Sequence, residues 1–254
     1  MDNIIVKAMP LGVLGANCYV VTDILSGECA VIDPGDYSPE LENALNDKRI
    51  RKLKYILLTH GHFDHISGVP FLKEKHPEMK ICISALDEAC LNDPKMSLAD
   101  GFAPGSFRAG AKADILLHDG DKLHLGQNEI EVISTPGHSR GGVTYKLGDI
   151  LFTGDTLFRG SIGRTDFKGG SMFQIINSLR FLAQLPDDVK VLPGQNSGTA
   201  HITVAEDDNT IIVIKAANDL VTPELIDEAW EAISKADMVL LQHSSAWRGH
   251  CGAA

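Results

Sequence analysis

The chain is 254 residues long, 44% hydrophobic and 22% charged, and its 23 Lys and Arg against 34 Asp and Glu give a formal net charge of −11. That length can bury a substantial core; the acidic balance, with no basic stripe, argues against nucleic acid as a partner. No apolar run reaches the roughly 18 residues of a membrane helix, and the opening MDNIIVKAMPLG lacks a basic region followed by an apolar stretch, so the expected location is the cytoplasm.

IIVKAMPLG, NCYVVTD and ECAVIDPGD are short apolar segments bounded by Gly, Pro, Asp or Asn, and they read as strands. A helix is predicted from a cap at Ser38, with Pro39 at its first position, to about Lys48. KYILLT reads as a buried strand that delivers THGHFDH into a loop. A helix over about 68–76 and the strand KICIS then complete an alternation that packs helices on a sheet. Residues 92–118 are Gly- and Ala-rich and weakly periodic, a surface excursion able to overlie a site. KLHLG, EIEVISTPG, GVTYKLG and DILFTGD follow as four strands with short turns, and a helix over about 171–184 leads through LPDD into KVLPG. Phe152, Leu157, Phe158, Phe173, Ile175, Ile176 and Leu179 are assigned to the core. The five cysteines (Cys18, Cys29, Cys82, Cys90, Cys251) are too scattered for a disulfide framework or a Cys-x-x-Cys site and read as core thiols.

After Gly194 the texture changes. HITVAEDDNTIIVIKAAND reads as a hairpin around Asp207–Asn209, TPELIDEAWEAISKA as a helix capped by Thr222, DMVLLQ as a strand, and SSAWRGHCGAA as a frayed tail. The organisation expected is therefore a domain over 1–195 followed by a segment over 196–254.

The strongest chemical signal is THGHFDH, residues 59–65. Gly61 between His60 and His62 lets a sharp turn aim two imidazoles at one point, while Asp64 and His65 can aim at a second. Four polar ligands without a thiolate suggest an open hydrolytic or redox centre rather than a structural zinc. His138, in STPGHSRGG, and Asp155, in LFTGDTLF, each follow a strand through a tight turn and can converge on the same focus.

THGHFDH, TPGHS, GDTLFRGSIGRTD and LPDD-x-x-VLPG together resemble the metallo-β-lactamase fold, in particular its small glyoxalase II-like hydrolase branch, across about residues 4–195. The resemblance implies a four-layer αββα sandwich holding one or two Zn²⁺, with Fe²⁺ as the alternative. His60, His62 and His138 would form the first site, Asp64 and His65 would belong to the second, and Asp155 would bridge. Asp33, in VIDPG, would support a ligand from behind. One position departs from the pattern: where the family carries Pro-Gly-His-Gly, this chain has Pro193-Gly194-Gln195-Asn196. Gln195 is a weaker donor than imidazole, so the second metal is expected to be weak or absent, held with Gln195, or completed by another residue such as His201. Residues 196–242 resemble instead a fragment of a ribokinase-like sugar kinase without its catalytic stretch, a non-family α/β segment that implies no kinase activity.

The function implied is metal-dependent hydrolysis of a small-molecule thioester or ester, resembling hydroxyacylglutathione hydrolase, with Asp64 and Asp155 as the catalytic carboxylates. Arg159 and Arg164 stand near the site motif as groups able to meet a substrate carboxylate. Two other readings remain: a mononuclear iron oxidoreductase resembling the persulfide dioxygenases, using His60, His138 and Asp155, and a non-catalytic metal-binding or structural chain. A homodimer or domain swap through the C-terminal segment is the protein partnership left open.

Overall fold

The structure is a computed structural model that describes residues 3–105, 107–186 and 188–195, with the backbone alone of 200–205 and 208–213. The chain divides into two compact units, Met1–Ser197 and Gly198–Ala254.

In the first unit the strands β1 (Ile4–Leu11), β2 (Ala16–Asp23) and β3 (Glu28–Ile32) form an antiparallel meander. Helix α1 (Pro39–Leu45) leads to β4 (Lys52–Leu57), helices α2 (Phe63–Ile66) and α3 (Val69–Lys75) to β5 (Lys80–Ser84), and helix α4 (Ala99–Phe102) to β6 (Ile115–Leu117). These last strands add in parallel, so the first sheet runs β1-β2-β3-β4-β5-β6. The chain then lays down β7 (Lys122–Leu125), β8 (Asn128–Ser134), β9 (Val143–Leu147) and β10 (Ile150–Gly154) antiparallel. A small ribbon of β11 (Leu157–Phe158) and β12 (Ser161–Ile162), then helix α5 (Met172–Leu182), precede β13 (Lys190–Pro193), which pairs in parallel beside β10. The second sheet is therefore β13-β10-β9-β8-β7, and the unit is an α/β sandwich.

Strand alternation explains the layering. On β2 to β5, Cys18, Val20, Cys29, Val31, Ile56, Ile81 and Ile83 pack on one side with Leu41, Val69 and Leu72 of α1 and α3. The alternate residues, Tyr19, Val21, Ala30, Ile32, Tyr55, Leu57 and Cys82, meet Val132, Tyr145 and Phe152 of the second sheet. The first sheet is thus apolar on both faces. Tyr145 carries its hydroxyl into that layer and donates it to the Leu58 carbonyl at 2.7 Å, which ties the two sheets together. The cysteines Cys18, Cys29, Cys82 and Cys90 are buried core thiols, and burial pushes Cys29, Cys82 and Cys90 up to about 12; Cys251 lies outside the described residues.

Helix starts follow their caps. Ser38 accepts from Leu41 N ahead of α1, and Ser171 accepts from Gln174 N ahead of α5. Some expectations are corrected. Asp64 and His65 sit on the helical turn α2 rather than in a loop. Phe173 is exposed, because α5 turns Ile175, Ser178 and Leu182 inward and places Phe173 on the opposite face. The stretch 92–118 is not wholly superficial: it buries Ser97, Ala99 and Ala111 and contributes β6. In the second unit β14 (Ala200–Ala205) and β15 (Asp208–Val213) pair antiparallel, with Ala200 opposite Val213 and Ala205 opposite Asp208. The helix and strand expected at 222–242 and the tail lie outside the described residues. Among the described residues no helix is long and apolar enough to cross a membrane.

Glu28 joins the two sheets at their edge, accepting from Lys54 Nζ at 2.6 Å, Lys52 Nζ at 2.9 Å and Gly126 N at 2.9 Å. Burial opposes its ionisation, but the Lys54 ammonium and the other donors overcome it and bring its pKa from 4.5 down to about 2. A folded-state pKa below the unfolded one stabilises the fold fully above about pH 4.5 and loses that contribution as the pH falls toward 2. After allowance for solvent screening, Glu28→Gln is expected to cost ~1–2 kcal/mol at neutral pH, with the gap to wild type closing below about pH 3. Urea titrations of both proteins across pH 2.5–8 check this; a gap independent of pH rejects it.

Candidate metal centre

Strand ends build the site. Asp33 follows β3, His60 and His62 follow β4, His138 follows β8 and Asp155 follows β10, all buried. Asp33 adopts a left-handed backbone (φ 50°), a conformation that Asp tolerates better than most residues. From there its carboxylate accepts Thr59 N at 2.8 Å through Oδ1, and through Oδ2 both Thr59 Oγ1 at 2.6 Å and His65 Nδ1 at 3.0 Å.

These bonds fix tautomers. The Thr59 hydroxyl gives its hydrogen to Asp33, so at 3.2 Å it can only accept from His60 Nδ1, and His60 Nε2 is left bare; that atom is buried without a partner. His138 Nδ1 donates to the Arg164 carbonyl at 2.7 Å, which leaves Nε2 bare and 2.8 Å from His62 Nδ1. His65, held through Nδ1 by Asp33, aims Nε2 at Asp155 Oδ1 (3.2 Å) and Asp64 Oδ2 (3.7 Å), close but not aligned as a hydrogen bond to the first. Two donor groups result, His60 with His62 and His138, and His60 with His65 and Asp155; within each, the ligand atoms lie within 4.8 Å of one another.

Electrostatics divides the groups. Burial, then neighbouring imidazoles, drives His60 well below its ordinary pKa; burial, then His138, does the same to His62, so both are neutral ligands. His65 is the reverse: burial disfavours its charge, but Asp155, Asp64 and Asp33 together hold it protonated well above the ordinary value. Asp64 is raised by burial, against the pull of His65, and Asp155 is lowered because His65 and the other histidines outweigh its burial. Bare nitrogens converging beside two carboxylates, with orphaned polar atoms at His60, His65 and Asp155, fit a divalent cation.

Glycine makes the approach feasible. A Cβ on Gly61 would strike Cys90, and one on Gly194 would come within 2.5 Å of Asp155 Oδ1 and 2.8 Å of His65 Cε1. Gly194 is itself anchored: its N donates to Gly154 O at 2.7 Å and its carbonyl accepts Asn17 N at 2.6 Å. The Pro193 carbonyl accepts from Tyr19 Oη at 2.6 Å and Asn17 Nδ2 at 2.9 Å. This places Gln195 beside Asp64, where its Nε2 donates to Asp64 Oδ2 at 2.6 Å. His201 belongs to the other unit, where only the backbone is described. Arg164 pairs with Asp166, covers the Phe167 ring at 4.2 Å and accepts from His138 Nδ1 through its carbonyl; Arg159 is exposed.

Sequence reasoning missed Asp87. Buried after β5, it accepts Gly61 N at 3.0 Å and Ser139 Oγ at 2.8 Å on Oδ2, and Gly141 N at 2.9 Å on Oδ1. It therefore clamps the turn carrying His60 and His62 to the turn carrying His138. Its signal was an acid just past a strand end, as at Asp33 and Asp155, obscured among the acids of SALDEACLND. Asp87→Asn keeps the volume but turns an amide N–H toward a donor. The expected result is a loss of ~2–3 kcal/mol in stability and a roughly 10–100-fold weaker metal affinity, measured by denaturation and by chelator competition.

Residues 11–195 match the metallo-beta-lactamase superfamily. Among curated relatives, the probable metallo-hydrolase YqgX of Bacillus subtilis is 33% identical over 78% of this chain and 92% of its own length. Hydroxyacylglutathione hydrolase of Hamiltonella defensa is 32% identical over 78% and 74%. Among solved structures, the BLEG-1 B3 metallo-beta-lactamase is similar with a TM-score of 0.71 at 29% identity, over 87% of this chain and 99% of that one. TTHA1623, in a di-iron-bound form, gives 0.63 at 32% identity, over 76% and 93%. With that match spanning the sandwich whose strand ends carry the histidine and aspartate clusters, the chain belongs to the metallo-beta-lactamase superfamily.

Proposed function

We propose that this protein is a metal-dependent hydrolase of thioesters or esters, with hydroxyacylglutathione thioesters such as S-lactoylglutathione as its substrate class. The observation that carries the reading is the focus of one imidazole nitrogen each from His60, His62 and His138, with the protons of His60 Nδ1 and His138 Nδ1 turned away toward Thr59 and the Arg164 carbonyl. A divalent ion bound there, Zn²⁺ first and Fe²⁺ as alternative, lowers the pKa of its water and polarises a carbonyl oxygen. The chain's own residues supply the rest. His60, His62 and His138 would hold the ion, with Asp155 at its edge. Asp64, raised by burial, is suited to take up a proton at the carboxylate oxygen that Gln195 does not occupy, and Asp33 holds His65 in one orientation. Phe63, Phe102 and Phe167 form a run of contacting rings beside the histidines, Phe167 lying 5.7 Å from His62 and 6.2 Å from His138 between ring centroids, an apolar flank for a substrate.

Similarity to hydroxyacylglutathione hydrolase and to a probable metallo-hydrolase supports this class. A second reading, oxidation at a mononuclear iron held by His60, His138 and Asp155, is favoured by the Gln195 contact that occupies Asp64. The test is to load the purified chain with Zn²⁺ or Fe²⁺ and follow S-lactoylglutathione, p-nitrophenyl acetate and a β-lactam, together with oxygen uptake on glutathione persulfide. Thioester turnover that tracks metal content is expected. Oxygen uptake without hydrolysis establishes the iron reading, and bound metal with neither reaction establishes a non-catalytic chain.

A further inference from the structure

Beside the histidine cluster opens a cavity of about 270 Å³ whose wall carries His62 at one end and Lys95, Arg140 and Lys168 around it. In a chain of net charge −11 this convergence of cations runs against the composition. Among the described residues Lys95, Arg140 and Lys168 stand in no ion pair, which is also true of exposed cations such as Lys48 and Lys112; what sets these three apart is the concave wall they share with His62 of the metal cluster. The one carboxylate on the wall, Asp87, has both oxygens hydrogen-bonded to Gly61, Ser139 and Gly141 and forms no direct ion pair with these cations.

The cations are placed by the same chain segments that place the metal ligands. Arg140 is two residues past His138. Its Cγ lies where a Cβ on Gly169 would come within 3.0 Å, so the bare backbone of Gly169 (φ 95°) packs along the arginine stem. Lys168 adjoins Phe167, whose ring contacts both His62 and His138. Apolar surface from Met96 and Leu86 completes the lining. The volume suits one end of a ligand rather than a whole one, and unpaired cations at a concave wall attract and orient an anionic group.

We propose that this cavity is the subsite for the anionic end of the thioester substrate, a carboxylate or phosphate, with Lys95, Arg140 and Lys168 as its counter-charges. The assignment rests on the thioester reading of the adjoining centre and adds the charge of the substrate and the residues that select it.

The experiment is calorimetry on the full metal-loaded chain with three probes that carry neither a thioester nor a carboxylic ester: S-methylglutathione, its bis-amide in which both carboxylates are replaced by neutral carboxamides, and desulfo-coenzyme A. One anionic probe is expected to bind at least about tenfold more tightly than the bis-amide, with affinity falling as salt rises. Preference for S-methylglutathione identifies a carboxylate and preference for desulfo-coenzyme A a phosphate. The Lys95→Gln/Lys168→Gln protein should lose that discrimination, and Lys95→Arg/Lys168→Arg should keep it. Equal binding of the bis-amide and the anionic probes, or discrimination unchanged in the Gln variant, overturns the subsite while leaving thioester hydrolysis standing. Discrimination by a chain that hydrolyses no thioester supports the subsite and overturns only the hydrolase reading.

Discussion

The His60→Ala protein is expected to lose its metal and its activity together. His60 Nε2 belongs to both donor groups, so the substitution opens both at once, and it also strips the Thr59 hydroxyl of the imidazole it accepts from. Metal retained after mild dialysis should fall below about a tenth of an equivalent per chain. If the lost ion supplies ~4–5 kcal/mol of transition-state stabilisation, thioester turnover falls by about 10³. His118→Ala, an exposed histidine on the turn between β6 and β7, serves as the control and should change neither quantity. Elemental analysis beside steady-state hydrolysis decides the matter; full metal content in His60→Ala with activity retained would assign the site to other residues.

Much of this centre was legible because its chemistry is compressed into strand ends. A His-x-His across a glycine immediately after an apolar strand leaves few geometries, and His138 and Asp155 repeat the strand-then-turn pattern. The two-faced burial of β2 to β5 was equally readable as near-continuous apolar runs. What escaped depends on contacts distant in the chain. Asp87 acts by receiving hydrogen bonds from Gly61, Ser139 and Gly141, residues up to 54 positions away, and its place just past a strand end is obscured by the neighbouring acids. Phe173 looked like core on hydrophobicity alone, yet the face of α5 is set by Ile175 against Gly137 and by Ser178 donating to the Pro136 carbonyl at 2.7 Å. The helical turn at Asp64 and His65 was hidden because four residues carry too little periodicity to announce a helix.

Gln195→His is expected to raise the metal:protein ratio toward two and to increase thioester hydrolysis. In the wild type the Gln195 amide donates to Asp64 Oδ2, so it spends a carboxylate oxygen on a hydrogen bond and brings an N–H, not a lone pair, to the centre. The positive charge among Asp33, Asp64 and Asp155 is then supplied by protonated His65. A second ion at His65 must displace that proton, so its binding releases a proton and strengthens as pH rises. An imidazole at 195 would add a neutral donor and free Asp64. The backbone there is already held, through Pro193 and Gly194, by Asn17, Tyr19 and Gly154. Better charge stabilisation at the reacting oxygen, at ~1.4 kcal/mol per tenfold, makes a gain of about tenfold the expected scale. A ligand misplaced by about 1 Å would return little of it. Metal analysis and S-lactoylglutathione hydrolysis on both proteins in excess Zn²⁺, at pH 6 and pH 8, check the expectation, with the second equivalent binding more tightly at pH 8. Two firmly held ions already present in the wild type, unchanged in Gln195→His, would show that the amide contact to Asp64 yields to direct ligation when metal is supplied.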